Sequence, residues 1–206
     1  MLSIGKEEDM ARIAGLSRSR TLVAGFAFFL SRRSYGRIIT PARVYALDSR
    51  LLLAVALMEE VQEWAKQTSA PVKHLARMLV AWRIGCPWCL DFGTKAGEKL
   101  GVTDEQLHAL PDYEHSSLFS EEERAVLRYA EAMTRTPVRV PDAVFEALKV
   151  LYTDRQILEL TAAIAWENFG ARVNHALDLE AEGVAGRVCL VPTEVETPGQ
   201  AASGEV

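Results

Sequence analysis

The sequence predicts an all-α fold, a compact helical bundle. Apolar residues recur at helical spacing through most of the chain. Helix start and stop signals punctuate it at short intervals. Strand patterns are nearly absent: the stretch from Thr136 to Val140 is short, and Pro137 interrupts it.

The elements follow in order. Thr21 to Leu30 is an apolar run too short to span a bilayer, which takes roughly 20 residues. It reads as a buried helix or a subunit contact. The competing reading, a signal peptide with Arg18 and Arg20 ahead of it, lacks a small-residue cleavage site before Ser31-Arg32-Arg33. Asp48 is placed to cap a helix whose face carries Leu51, Leu52, Val55, Met58, Val61 and Trp64. Pro71 suits the first turn of the next helix, which carries Val72, Leu75, Met78, Leu79 and Trp82 and which Gly85 can end. Pro87 opens a helix to about Leu100, with Gly101 as its stop. Thr103/Gln106, Ser120/Glu123 and Thr153/Gln156 have the spacing of capping boxes. The second opens a helix with Val126, Leu127, Ala130 and Met133. A further helix follows Pro141. The third box opens a long helix from Asp154 to about Glu182, which Gly183 ends. One domain is expected over 1–186, with its core over about 40–185. The Gly-, Pro-, Ser- and Glu-rich stretch 187–206, which holds Cys189, reads as a loose tail.

Composition narrows the function classes. The 206 residues are 49% hydrophobic and 25% charged, enough for a sizeable core without staples. A net charge of −5 and the lack of a long basic run argue against a nucleic-acid partner. No membrane partner is expected either. The three cysteines, Cys86, Cys89 and Cys189, do not form a secreted disulfide framework. They fit a reducing compartment, so a cytoplasmic location is expected. No glycine-rich nucleotide motif is present, and no cofactor or metal is expected.

The chemistry concentrates in Gly85-Cys86-Pro87-Trp88-Cys89. Cys86 sits at a helix N-terminus and Cys89 about one turn in. On a helix that spacing puts the Cα atoms about 5–6 Å apart, within disulfide range. The unpaired N–H groups and dipole of the first turn favour a thiolate, the attacking species in thiol exchange and peroxide reduction. Two other readings stand beside this one. A zinc site would need two more ligands from Cys189, His74, His108, His115 and His175. Alternatively, the two cysteines simply pack.

Gly85-Cys86-Pro-Trp-Cys89-Leu-Asp-Phe-Gly-Thr-Lys95, with the stretches from Phe119 and from Leu160 to His175, resembles the alkylhydroperoxidase D-like/carboxymuconolactone decarboxylase family over roughly residues 40 to 185. The resemblance implies an all-helical fold and homo-oligomers, trimers or hexamers. It further implies peroxide reduction by a C-x-x-C pair, with a small-molecule peroxide as substrate and a dithiol protein as reductant. Peroxidase members carry a Glu twelve positions before the first cysteine and a His four after the second, as a proton relay. Here those positions are His74 and Gly93. The decarboxylase members lack the pair, which ranks that reaction third. Second stands a non-catalytic oligomer whose pair senses redox state.

Cys86, Cys89 and His74 are therefore the candidate catalytic residues. Cys89 is the attacking thiolate, Cys86 the resolving thiol and His74 the candidate base, the competing reading being a half-buried core histidine. Asp91 and Lys95 read as a solvated face. Cys89, Gly93, Gly97 and Gly101 form a stripe along the helix. That stripe reads as close helix packing, as space beside Cys89 left by Gly93, or as both, with Gly97 and Gly101 packing while Gly93 opens the site.

Overall fold

The computed structural model describes residues 11–186, and among these all regular structure is helical. The α-helices are α1 Leu22–Tyr35, α2 Thr40–Tyr45, α3 Ser49–Trp64, α4 Ala70–Ile84, α5 Pro87–Leu100, α6 Asp104–Ala109, α7 Glu121–Thr134, α8 Asp142–Leu151 and α9 Asp154–Ala176, with a 3-10 turn at Leu110–Asp112. The tail with Cys189 lies outside the described residues.

The start signals act as their chemistry dictates. Asp48 accepts from Arg50 N, and each of the three capping boxes closes reciprocally. Gly85 and Gly101 end α4 and α5 at φ 75° and 77°, the left-handed conformation in which a Cβ is penalised.

α4 is the central helix. It packs against α9, α7 and α5, and it buries Leu75, Ala76, Leu79, Val80 and Ala81 almost completely. The main core around it includes Val126, Leu127, Leu160 and Ile164 as well as both cysteines. A smaller cluster joins α1, α2 and α3 through Ala24, Phe28, Ala46 and Leu52.

Two expectations need correction. α9 stops at Ala176, not near Glu182. Asp178 turns at φ 57°, its N–H donates to His175 O, and Leu179 N donates to Asn174 O. Leu179 is buried, and the chain then returns to α5. On α3 the expected apolar face lies largely outside this core. Of that face Leu52 is buried and Val55 and Met58 are half-buried, but Leu51, Val61 and Trp64 are exposed, as is Leu57 beside them. α1 likewise exposes Leu22, Phe26, Phe29 and Leu30.

Candidate active site

Cys86 is the N-cap of α5 and Cys89 its third residue. Gly85 ends α4 in the left-handed conformation, so the chain reverses within one residue and aims the start of α5 at the core. The two cysteines are joined as a disulfide with Cα atoms 5.3 Å apart, as helical spacing requires. Cys89 N–H donates to Cys86 Sγ at 3.2 Å, so one sulfur caps the helix carrying the other. Cys86 is wholly buried, whereas Cys89 keeps 8% of its surface exposed. Cys89 is thus the edge of the pair that an outside molecule meets first.

α9 supplies two neighbours, Asn174, which sequence reasoning missed, and His175, which it named only as a possible zinc ligand. Asn174, 5% exposed, donates from Nδ2 to Cys89 Sγ at 3.5 Å. The next residue, His175, donates from Nδ1 to Gly85 O at 2.8 Å, bracing the turn that presents Cys86. Only a carbonyl acceptor is available to it there, which fixes the Nδ1–H tautomer. Both residues belong to a stretch that carried the family resemblance, but nothing local marks them as site residues. α9 packing against α5 brings them there.

His74, on α4, packs against α5 at Gly93 and Gly97. Its Nε2–H donates to Gly93 O at 2.9 Å, one turn past Cys89, which leaves Nδ1 as its basic atom. Burial and the nearby Arg77 charge pull the ring down to about 4, against the raising effect of the Gly93 carbonyl. The ring is therefore neutral near pH 7 and a weak base. The glycine stripe is close packing at Gly93 and Gly97, whereas Gly101 has open space around it and serves the left-handed end of α5. A Cβ at 93 would run into Met78 Sδ, and one at 97 would lie 2.9 Å from His74 Nε2. Gly93 therefore opens no space beside Cys89, contrary to that reading.

Asp91 is the second correction to the site. It is 1% exposed, not solvated, and accepts three backbone N–H bonds from the returning chain: Glu182 and Val184 at Oδ2 (2.8 and 3.0 Å) and Ala185 at Oδ1 (2.9 Å). Glu182 in turn accepts from Trp88 Nε1 at 3.0 Å and from Thr40 N at 2.7 Å, and it pairs with Arg37. Trp88 stacks on Phe92 with ring centroids 4.1 Å apart, and Phe92 meets Tyr35 edge-on. The residues between and after the cysteines thus fasten α1, α2 and the returning chain to α5. Lys95 is on the surface, paired with Glu98. Among the described residues, no group of three or more His, Cys, Asp or Glu is placed to hold a metal ion.

The chain is 35% identical over 169 residues to the uncharacterized protein YnjA of Escherichia coli K12, covering 80% of this chain and 88% of YnjA. The profile of the carboxymuconolactone decarboxylase family matches residues 50–132, from α3 through the cysteine helix to α7. The chain belongs to this family. Solved structures share the fold at low identity. The debrominase Bmp8 superposes with a TM-score of 0.74 at 21% identity, covering 84% of this chain and 94% of Bmp8. An alkylhydroperoxidase AhpD core protein from Ralstonia eutropha JMP134 does so with 0.71 at 14% identity, covering 86% and 95%. These neighbours show that the chain shares the all-helical fold of the alkylhydroperoxidase AhpD core structure.

Proposed function

We propose that this chain is a thiol-dependent oxidoreductase whose Cys86–Cys89 pair reduces a small peroxide and is returned to the dithiol by a dithiol reductant. The observation that carries this reading is the placement of two cysteines at one helix N-terminus, bonded to each other, with the second at the accessible edge. In the reduced protein the Cys89 thiolate attacks the O–O bond. A sulfenic acid forms on Cys89 and the alkoxide leaves, taking a proton to become the alcohol. Cys86 sulfur then displaces water from that sulfenic acid and closes the disulfide. An external dithiol restores both thiols by exchange and is itself oxidised. His74 enters as the group that fastens α5 to α4. Whether it also serves as a base is tested by His74→Gln, which keeps a donor for Gly93 O but removes the basic nitrogen.

One observation favours a second reading, a redox sensor that turns over little. Both sulfurs are nearly buried, and His74 and Gly93 stand where family peroxidases have their relay. Steady-state consumption of an alkyl hydroperoxide with dihydrolipoamide separates the two. The enzyme reading predicts many turnovers, abolished by Cys89→Ser and by Cys86→Ser. A single stoichiometric oxidation selects the sensor.

The exposed apolar faces of α1 and α3 support a homo-oligomer. Contiguous apolar surface of this kind is rare on monomers. Among the described residues no helix is long and apolar enough to cross a membrane.

A further inference from the structure

We propose that Asn174 is a catalytic residue: its side-chain amide holds Cys89 Sγ and makes that sulfur, not Cys86, the attacking thiolate. The inference rests on the thiol-oxidoreductase reading above. It identifies the group that does the electrostatic work for which family peroxidases use a titrating relay.

The two sulfurs have different donors. Cys86 Sγ receives the backbone N–H of Cys89 at the helix N-terminus. That environment alone would favour Cys86 as the thiolate, because helix-terminal N–H groups lower thiol pKa. Cys86 is also the wholly buried member, so a thiolate there would be shielded from a substrate. Cys89 Sγ receives Asn174 Nδ2. Asn174 is itself buried, so the bond forms away from competing water, where a donor to an anion counts for more. It also moves charge to the sulfur at the accessible edge.

The titratable side chains on neighbouring turns are committed elsewhere. Asp91 accepts three backbone N–H groups. Glu182 accepts from Trp88 and Thr40 and pairs with Arg37. His175 donates to Gly85 O and His74 to Gly93 O. An amide does not titrate, so its help to the thiolate is the same at every working pH. It accepts no proton, and the Cys89 proton passes to solvent.

The geometry of Asn174 is set by the C-terminal end of α9. Its own carbonyl accepts Leu179 N, which keeps the last turn in place whatever side chain stands at 174. Leucine is a near-isostere without donors, and aspartate is an isostere that puts a negative charge beside the sulfur.

The test is the pH profile of iodoacetamide alkylation at Cys89, read in the Cys86→Ser background by mass spectrometry. Asn174→Leu should raise the apparent pKa by about one unit, a tenfold change in ionisation constant. Asn174→Asp should raise it further. In the Cys89→Ser background, Asn174→Leu should leave the Cys86 profile in place. Near-UV circular dichroism reports folding, and if one substitution unfolds the protein the other still decides. A Cys89 profile that neither variant moves overturns the proposal. So does a shift of equal size at Cys86, which marks general loosening. Alkylation needs neither peroxide nor reductant. A Cys89-specific shift in a protein that never consumes hydroperoxide would therefore sink the functional reading while the amide's hold on the sulfur stands.

Discussion

Replacing Asp91 by Ala should destabilise the protein by about 2.5–5 kcal/mol, because one carboxylate serves three backbone donors. Leaving a buried donor without its charged acceptor costs about 1.5–3 kcal/mol, and that applies in full to the buried Ala185 N–H. The Glu182 and Val184 N–H groups are only partly buried, so water replaces much of the loss, leaving about 0.5–1 kcal/mol each. Asp91→Asn should cost less, about 2 kcal/mol. Its carbonyl oxygen can take the Oδ2 pair, but its NH2 then faces Ala185 N–H. Urea denaturation at 25 °C with an unchanged slope measures both. A loss of about 2.5–5 kcal/mol corresponds to a fall of roughly 5–20 °C in Tm for a domain near this size. Amide exchange should accelerate at Ala185 in the Ala variant. A change below about 0.5 kcal/mol for Asp91→Ala would refute the reasoning, as would an Asn variant no better than Ala.

Stability should fall as pH drops from about 6.5 to about 4, because the unfolded chain binds a proton at His74 that the buried ring refuses until about 4. His74→Gln should flatten that limb, by at most about 3 kcal/mol across the window, in urea midpoints taken at several pH values. Gly93→Ala should be destabilising by about 1–3 kcal/mol through overpacking on Met78, and Met78→Ala in the same chain should remove most of that increment; additive losses would contradict it. Arg77→Met should cost about 1.5–3 kcal/mol by leaving the half-buried Glu167, whose carboxyl burial pushes up, without its charged partner, and Arg77→Met with Glu167→Leu should recover most of it. Light scattering at micromolar concentration should give a mass of several chains, and charges at Leu57 and Phe26 should lower it.

Local chemistry was legible in the sequence wherever partners were close along the chain. The caps at Asp48, Thr103, Ser120 and Thr153, the bounds of α5 between Pro87 and Gly101, and the Cys86–Cys89 distance all follow from contacts within one helical turn. Asp91 was not legible, because its partners are backbone groups more than 90 residues away and an Asp near a Lys on a helix looks solvated. Asn174 had no local signal, since α9 brings it to Cys89 only through tertiary packing. The end of α9 was hidden because Leu177 and Leu179 continue the apolar rhythm while the backbone turns at Asp178. The glycine stripe was visible, but its meaning depended on Met78 and His74 across the helix interface. On α3 the apolar face was readable as such, yet spacing along one chain does not reveal that it lies outside that chain's own core.

The central claim is that Cys86 and Cys89 form a redox pair in which Cys89 reacts first. The most direct measurement is the mass of the tryptic peptide Ile84 to Lys95 after the reduced protein meets one equivalent of alkyl hydroperoxide. That peptide should lose two hydrogens in the native protein. With dimedone present, the Cys86→Ser variant should carry a sulfenic-acid adduct on Cys89. An adduct on Cys86 in the Cys89→Ser variant with none on Cys89 in the Cys86→Ser variant, a cross-link from either residue to Cys189, or an unchanged peptide would contradict it.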